Sequence, residues 1–265
     1  VAMEMTKWFN TNYHYIVPEL SADTTFKLDA SKILAEYEEA KAAGVNGKIN
    51  LIGPITFLAL SKATDGSCPF KNLNALVAEY KKLLELLSTL DDEVLVQFDE
   101  PIFATDKNED IMLSVIAKVY NELAAAASNV KIVFMTYFEH ALKAVAEVAK
   151  TKIYGIGLDF VHGKRNFEAL EAIKNSRLTL FAGIIDGRNI WKSNIDEKIN
   201  LVREISEKIG GKDFYVGPSC SLLHVPYTLK YEEKLNSEVK SWLSFAVEKL
   251  DEIKIITKLA NGVAL

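Results

Sequence analysis

The sequence predicts an α/β fold, a TIM-type (β/α)8 barrel in which about six of the eight strands are present. Three observations carry that expectation. Short apolar runs, too brief for helices, recur along the chain. Segments with apolar residues at three- and four-residue spacing lie between them. The 265 residues also suit one barrel of about 250. Strand and helix in alternation argue for parallel βαβ units.

Taken in order, residues 1–48 read as an irregular opening segment with no clear strand, although "TTFKLDA" suits an extended backbone. Runs rich in Val, Ile, Leu and Phe place strands at 49–52, 94–98, 130–135, 153–158, 178–182 and 214–216. Helical spacing marks Leu73, Leu76, Tyr80, Leu83, Leu84 and Leu87, then Ile111, Ile116, Val119, Tyr120, Leu123 and Ala124. Residues 141–149, 167–173 and 195–209 are further helices. A long terminal linker helix is expected over 237–262, stopped at Asn261-Gly262, because glycine accepts the left-handed position past a helix end. No linker, low-complexity tract or short repeat interrupts, so residues 1–265 read as a single domain. Two barrel strands remain unaccounted for.

Composition excludes several classes. A net charge of −5 offers no basic face to nucleic acid or to an anionic membrane. There is no run of about 18 apolar residues, and no basic-then-apolar leader. The two cysteines, Cys68 and Cys220, are too few for a disulfide framework and suit a reducing cytoplasm. The first residue is Val rather than Met, which fits a piece of something longer.

In parallel α/β folds the functional groups collect just past the carboxyl ends of strands. Those positions hold Thr56 in "LIGPITF", Asp99 and Glu100 in "VQFDEP", and Thr136 and Tyr137 in "VFMTYF". They continue with Asp159 and His162 in "GLDFVHG", and Asp186, Arg188 and Asn189 in "FAGIIDGRNIW". Last come Ser219, Cys220, Ser221 and His224 in "VGPSCSLLH". Every strand ends in a polar group, as an active-site rim requires. Plainer readings stand beside this one. Asp99-Glu100-Pro101 also suits a turn with an acidic cap, and residues 186–189 a turn with a local ion pair. Cys220 also suits a small buried residue, and His14, His140 and His162 suit surface or core. Ser219, Ser221 and His224 are hydrolase residue types, but no G-x-S-x-G elbow frames them. Cys220, His224 and Asp159 are zinc-ligand types without the usual spacings. No glycine-rich phosphate loop is present.

The opening stretch "EMTKWFNTNYHYIVPE" interleaves aromatic rings with polar tips. Together with "LIGPITFL", "FDEP", "TYF", "GLDFVHG", "LFAGIIDGRNIW", "SCSLLHVPY" and "EVKSWLSFAVEKL", in that order, it makes the whole chain resemble the amino-terminal half of the cobalamin-independent methionine synthases. The resemblance implies one barrel of a two-barrel enzyme that transfers a methyl group from 5-methyltetrahydropteroyltriglutamate to homocysteine. It implies that zinc and homocysteine belong to a carboxyl-terminal barrel outside this chain, and that this chain holds no cofactor. It implies two βα segments upstream, which would explain the missing strands, and no turnover by the fragment alone. Lys7 and Asn12 are assigned to the folate's polyglutamate tail. An ammonium and an amide suit a row of carboxylates, with Trp8, Tyr13 and Tyr15 packing beside them or serving only as a strap. Tyr13, His14, Asp99, Glu100, Asp159, Asp186, Arg188, Ser219, Ser221 and His224 are the candidate barrel-mouth residues.

Set against the family's zinc-binding barrel, Thr136-Tyr137-Phe138 stands where His-x-Cys would be, Asp159 near the Glu, and Cys220 at the last Cys. Cys220 then reads as the relic of a lost metal site. Two other readings stay open: a free-standing zinc-dependent methyltransferase barrel, and a non-catalytic interaction fragment with open strand edges.

Overall fold

All six expected apolar runs form strands, and these six make one sheet. A computed structural model describes residues 2–107 and 110–264. In chain order its elements begin β1 (Met5–Lys7), β2 (His14–Ile16), β3 (Glu19–Leu20), α1 (Ser31–Ala42), β4 (Ile49–Ile52), α2 (Pro54–Ala59) and β5 (Lys62–Ala63). They continue with α3 (Leu73–Leu87), β6 (Val94–Asp99), α4 (Asp110–Ala126), β7 (Val130–Met135), α5 (Leu142–Val148) and β8 (Gly155–Asp159). The last are α6 (Leu170–Lys174), β9 (Thr179–Ile185), α7 (Ile195–Lys208), β10 (Tyr215–Pro218), α8 (Ser237–Trp242) and α9 (Ala246–Ala260).

The parallel sheet has the order β10-β9-β8-β7-β6-β4, which leaves β4 and β10 as its edges and does not close into a barrel. Register is tight where strands are long: β6 meets β7 from Val94 opposite Val130 to Asp99 opposite Met135. All five residues of β8 are buried, which is why its sequence reads as an unbroken apolar run.

Two compact units emerge where the sequence reads as a single domain: Val1–Met135 with Lys150–Gly155, and Thr136–Ala149 with Ile156–Leu265. In the first, α3 buries Leu83, Leu84 and Leu87, and α4 buries Ile116, Val119, Tyr120 and Leu123. The Tyr120 ring lies edge-on to Phe134 at 4.8 Å and to Phe98 at 6.2 Å. In the second, Val145, Leu170, Ile205 and Ile256 are completely buried from α5, α6, α7 and α9.

The structure corrects two expectations about the ends of the chain. The opening 48 residues are not irregular: β1 and β2 pair as an antiparallel hairpin, β3 pairs with β5, and α1 follows. The stretch 24–30, expected to suit extended backbone, stays outside any element. Helix α1 buries no residue, so it carries no apolar periodicity to detect. The tail is two helices, because Leu243 is extended and bridges to Trp191 while Glu248 accepts from the Phe245 amide to start α9 afresh. Its stop is as expected, with Gly262 at φ +72°. Among the described residues no helix is long and apolar enough to cross a membrane.

Candidate functional site

The second unit gathers most of the polar strand ends. Asp159, the last residue of β8, is completely buried. A carboxylate taken from water needs donors on both oxygens. Its Oδ1 accepts from the Val161 and His162 amides at 2.8 and 2.9 Å. Its Oδ2 accepts from the Phe138 amide at 3.1 Å and lies 3.2 Å from His162 Nδ1. Asn166, also fully buried, donates to the Asp159 carbonyl at 2.8 Å and accepts from the Ala141 amide at 3.0 Å. The loops after β7 and β8 are therefore sewn to one carboxylate.

That stitching holds Phe138 at φ +81°, a left-handed backbone that a side chain with a Cβ adopts at a cost. Two side chains from other loops meet the Phe138 ring. The Arg188 guanidinium lies over it, 4.8 Å from its centre, and the His224 ring meets it edge-on at 5.7 Å. Asp186 folds its own loop, accepting from the Arg188 amide at 2.8 Å and from Asn189 Nδ2 at 2.7 Å. Its Oδ2 also stands 3.8 Å from His162 Nε2, so His162 lies between two carboxylates. The hydrogen bond to Asp159 holds the His162 pKa above the ordinary value, helped by the charges of Asp159 and Asp186 and opposed by burial and Arg188. Burial, then Arg188, lowers that of His224.

Ser219 and Ser221 serve the backbone: Ser219 accepts from the Gly187 amide at 3.1 Å, and Ser221 from the Leu223 amide at 3.3 Å. Gly187 must be glycine here, since a Cβ would stand 2.8 Å from the Cys220 carbonyl. Burial pushes the Cys220 thiol up to about 12, and its Sγ faces the Ser221 carbonyl at 3.8 Å. Asp159's oxygens are committed to backbone amides and to His162. Among the described residues no three His, Cys, Asp or Glu side chains are placed to hold a metal.

The other candidates lie in the first unit. Glu100, expected at the mouth, is instead completely buried. It accepts from the Ile55 amide at 3.2 Å, the Thr56 amide at 2.6 Å and the Tyr120 hydroxyl at 2.6 Å. Burial lifts its pKa to about 7, against these hydrogen bonds. Gly53 makes room, because a Cβ there would fall 2.1 Å from the Glu100 carboxyl carbon. Asp99, half-buried, accepts from Gln97 Nε2 at 2.6 Å. The β1–β2 hairpin displays Lys7, Asn12, Tyr13 and His14 to solvent, with Lys7 directly opposite His14. Its turn is fixed by Thr11, whose hydroxyl and amide both donate to the Trp8 carbonyl, and Trp8 packs edge-on against Tyr15 at 5.8 Å.

Asp159, His162, Asp186, Arg188 and His224 are thus brought together, whereas Asp99, Glu100 and the hairpin residues belong to the other unit. Sequence reading missed Phe138 and Asn166 as organisers. No residue type announces a left-handed Phe, and Asn166 sits in an ordinary-looking "GKRNFEAL".

A parallel α/β sheet with its polar groups at the strand ends defines the class: an α/β-barrel type of domain. The model of the cobalamin-independent synthase N-terminal domain matches residues 1–210, and the chain belongs to that family. The chain is 49% identical over 260 residues to a 5-methyltetrahydropteroyltriglutamate–homocysteine methyltransferase of Desulforamulus reducens, covering 98% of this chain and 34% of the relative. It is 45% identical over 271 residues to the protein so named in Listeria welshimeri, covering 99% of this chain and 34% of the relative. The chain therefore spans about a third of the length of these relatives. The solved structure of a B12-independent methionine synthase from Shewanella sp. W3-18-1, in complex with selenomethionine, aligns with TM-score 0.70 at 14% identity, over 98% of this chain and 76% of that one. A methyltransferase from Methanosarcina mazei aligns with TM-score 0.67 at 11% identity, over 97% of this chain and 75% of that one. These two share the fold.

Two outcomes test the buried acids. The folded Glu100 keeps its proton up to about pH 7, whereas an ordinary carboxyl loses it near 4.5. Its stabilising effect is complete below the unfolded value and is lost as pH rises across that window. The stability of the protein minus that of Glu100→Gln, from urea midpoints, should fall between those limits; a flat difference would remove Glu100 as the cause. For His162, the ring should titrate above its ordinary 6.5 in an NMR experiment, and Asp186→Asn should lower the midpoint. A midpoint indifferent to that substitution would take Asp186 out of the network.

Proposed function

We propose that this chain is the amino-terminal part of an enzyme that transfers a methyl group from 5-methyltetrahydropteroyltriglutamate to homocysteine, yielding methionine. The carrying observation is its 49% identity, over 98% of its length, to a protein of that name. Within that enzyme the chain scaffolds the rest of the polypeptide and helps to hold the folate's glutamate tail. Zinc and homocysteine are handled by the carboxyl-terminal barrel. The work is done in the cytoplasm, which suits two free cysteines.

What supports the tail-binding role is the hairpin. Lys7 and Asn12 are exposed on a short, internally bonded frame. A compact ammonium beside an amide donor meets successive carboxylates without a rearrangement of the backbone. Trp8 and Tyr15 stiffen the frame from behind.

Lys7→Gln should weaken binding of the triglutamate folate about fivefold at low salt, the effect of an exposed charge pair worth ~1 kcal/mol. The difference should shrink as salt rises, and the monoglutamate folate should bind both proteins alike. Equal triglutamate affinities in a titration followed by Trp fluorescence would end the assignment of Lys7. The isolated chain should form no methionine from the triglutamate folate and homocysteine, with or without added zinc. Turnover by the chain alone would move the catalytic assignment into these residues.

A further inference from the structure

The chain contains two Asn-Gly pairs, Asn46-Gly47 and Asn261-Gly262. The second closes α9; the first lies in the loop between α1 and β4 and serves none of the contacts described above. Such pairs favour turns, and they also carry a chemistry of their own. The backbone nitrogen of the following residue can attack an asparagine carboxamide, and glycine leaves that nitrogen unshielded because it has no Cβ.

The structure separates the two pairs. Asn46 is exposed, and among the described residues neither its carboxamide nor the Gly47 amide has a hydrogen-bond partner. A Cβ built on Gly47 meets nothing within 4 Å, so the loop has room to bend. At the other pair, Asn261 Nδ2 donates to the Thr257 carbonyl at 2.8 Å, and the Gly262 amide donates to the Leu259 carbonyl at 3.1 Å. Both reacting groups are tied to α9 there, and Gly262 is set at φ +72°. Attack at Asn261 must first unwind the helix end.

Asn46 also stands just ahead of a dependent element. The edge strand β4 has four residues and pairs only with β6, from Ile49 opposite Val96 to Ile52 opposite Asp99. The Lys48 ammonium donates to Oε1 of the buried Gln97, which donates in turn to Asp99. Past β4, the Gly53 amide donates to the Asp99 carbonyl at 2.8 Å, and α2 then offers the Ile55 and Thr56 amides to Glu100. A change in backbone length before β4 therefore pulls on its register and on the Glu100 latch.

We propose that Asn46-Gly47 is a site of spontaneous covalent modification, deamidation with isomerisation to isoaspartate, and that its conversion loosens β4. The Gly47 amide gives up its proton, and its nitrogen bonds to Asn46 Cγ. The Cγ–Nδ2 bond breaks, and the side-chain nitrogen leaves with that proton as ammonia. Water then opens the succinimide ring. Opening at the side-chain carbonyl gives aspartate; opening at the main-chain carbonyl gives isoaspartate, whose backbone runs through Cβ and Cγ and is one carbon longer. No co-reactant other than water is needed, and nothing in the sequence of steps depends on the activity proposed above.

The test holds the folded 265-residue chain for days at mildly alkaline pH and then cuts it with trypsin, which releases 42–48 and 259–265 as separate peptides. Mass spectrometry should find the Asn46 NH2 replaced by OH at least severalfold faster than that of Asn261, with isoaspartate as the larger product. In urea, where both pairs are free, the two rates should converge. No conversion of 42–48, or equal rates in the folded chain, overturns the proposal. A slow Asn261 in urea as well would make sequence rather than structure the cause, and also overturns it. Gly47→Ala should slow the conversion many-fold in a folded protein, since its Cβ meets open space. Asn46→Gln, whose longer side chain closes a less favourable ring, checks the same point independently. After ageing, the original chain should unfold at lower urea than when fresh, whereas both variants should keep their midpoints. A converted chain with an unchanged midpoint breaks the link to β4.

Discussion

Two buried carboxylates, each one step past or at the end of a strand, organise the loops of this protein. A fully desolvated carboxylate is tolerated only when its lone pairs are filled. Glu100 meets that requirement with two backbone amides at the start of α2 and the Tyr120 hydroxyl. Asp159 meets it with three backbone amides and an imidazole. The Glu100 donors all come from distant segments, whereas Asp159 joins its own loop to the Phe138 amide of the preceding one. Each acid therefore fixes loop against loop more firmly than apolar packing could, since a hydrogen bond is directional and a methyl contact is not.

Other features follow from these two requirements. Gly53 has no alternative while Glu100 fills the space where its Cβ would point. Phe138 is held in a left-handed backbone because its amide is needed by Asp159, and its strained placement in turn offers Arg188 a ring to lie on. The cost of that conformation is about 1–3 kcal/mol. It persists because the fixed carboxylate defines where the amide must be.

The sheet was legible in the sequence to within a few residues. Strands buried on both faces must be apolar throughout, and six such runs are hard to mistake. The polar groups at their ends were legible too, but not their use: Glu100 and Asp159 look alike in "FDEP" and "GLDF", and only burial and donors separate a latch from a mouth. The plainer reading of Asp99-Glu100-Pro101 came close for Glu100, whose carboxylate does cap a helix start, though that of α2 rather than its own. What could not be read had no local signal. Helix α1 buries nothing. The break between α8 and α9 depends on Leu243 pairing with Trp191, fifty-two residues earlier in the chain.

In the second unit several polar groups at the strand ends are engaged with the backbone or with one another. The Cys220 pKa is driven up by burial, and its Sγ faces the Ser221 carbonyl. His162 stands between Asp159 and Asp186, and its hydrogen bond to Asp159 raises its pKa. Ser219 and Ser221 accept from the backbone rather than facing a base. The acids of this loop cluster are spent on backbone amides, so the loops after β7 and β8 are held to one another by directional bonds.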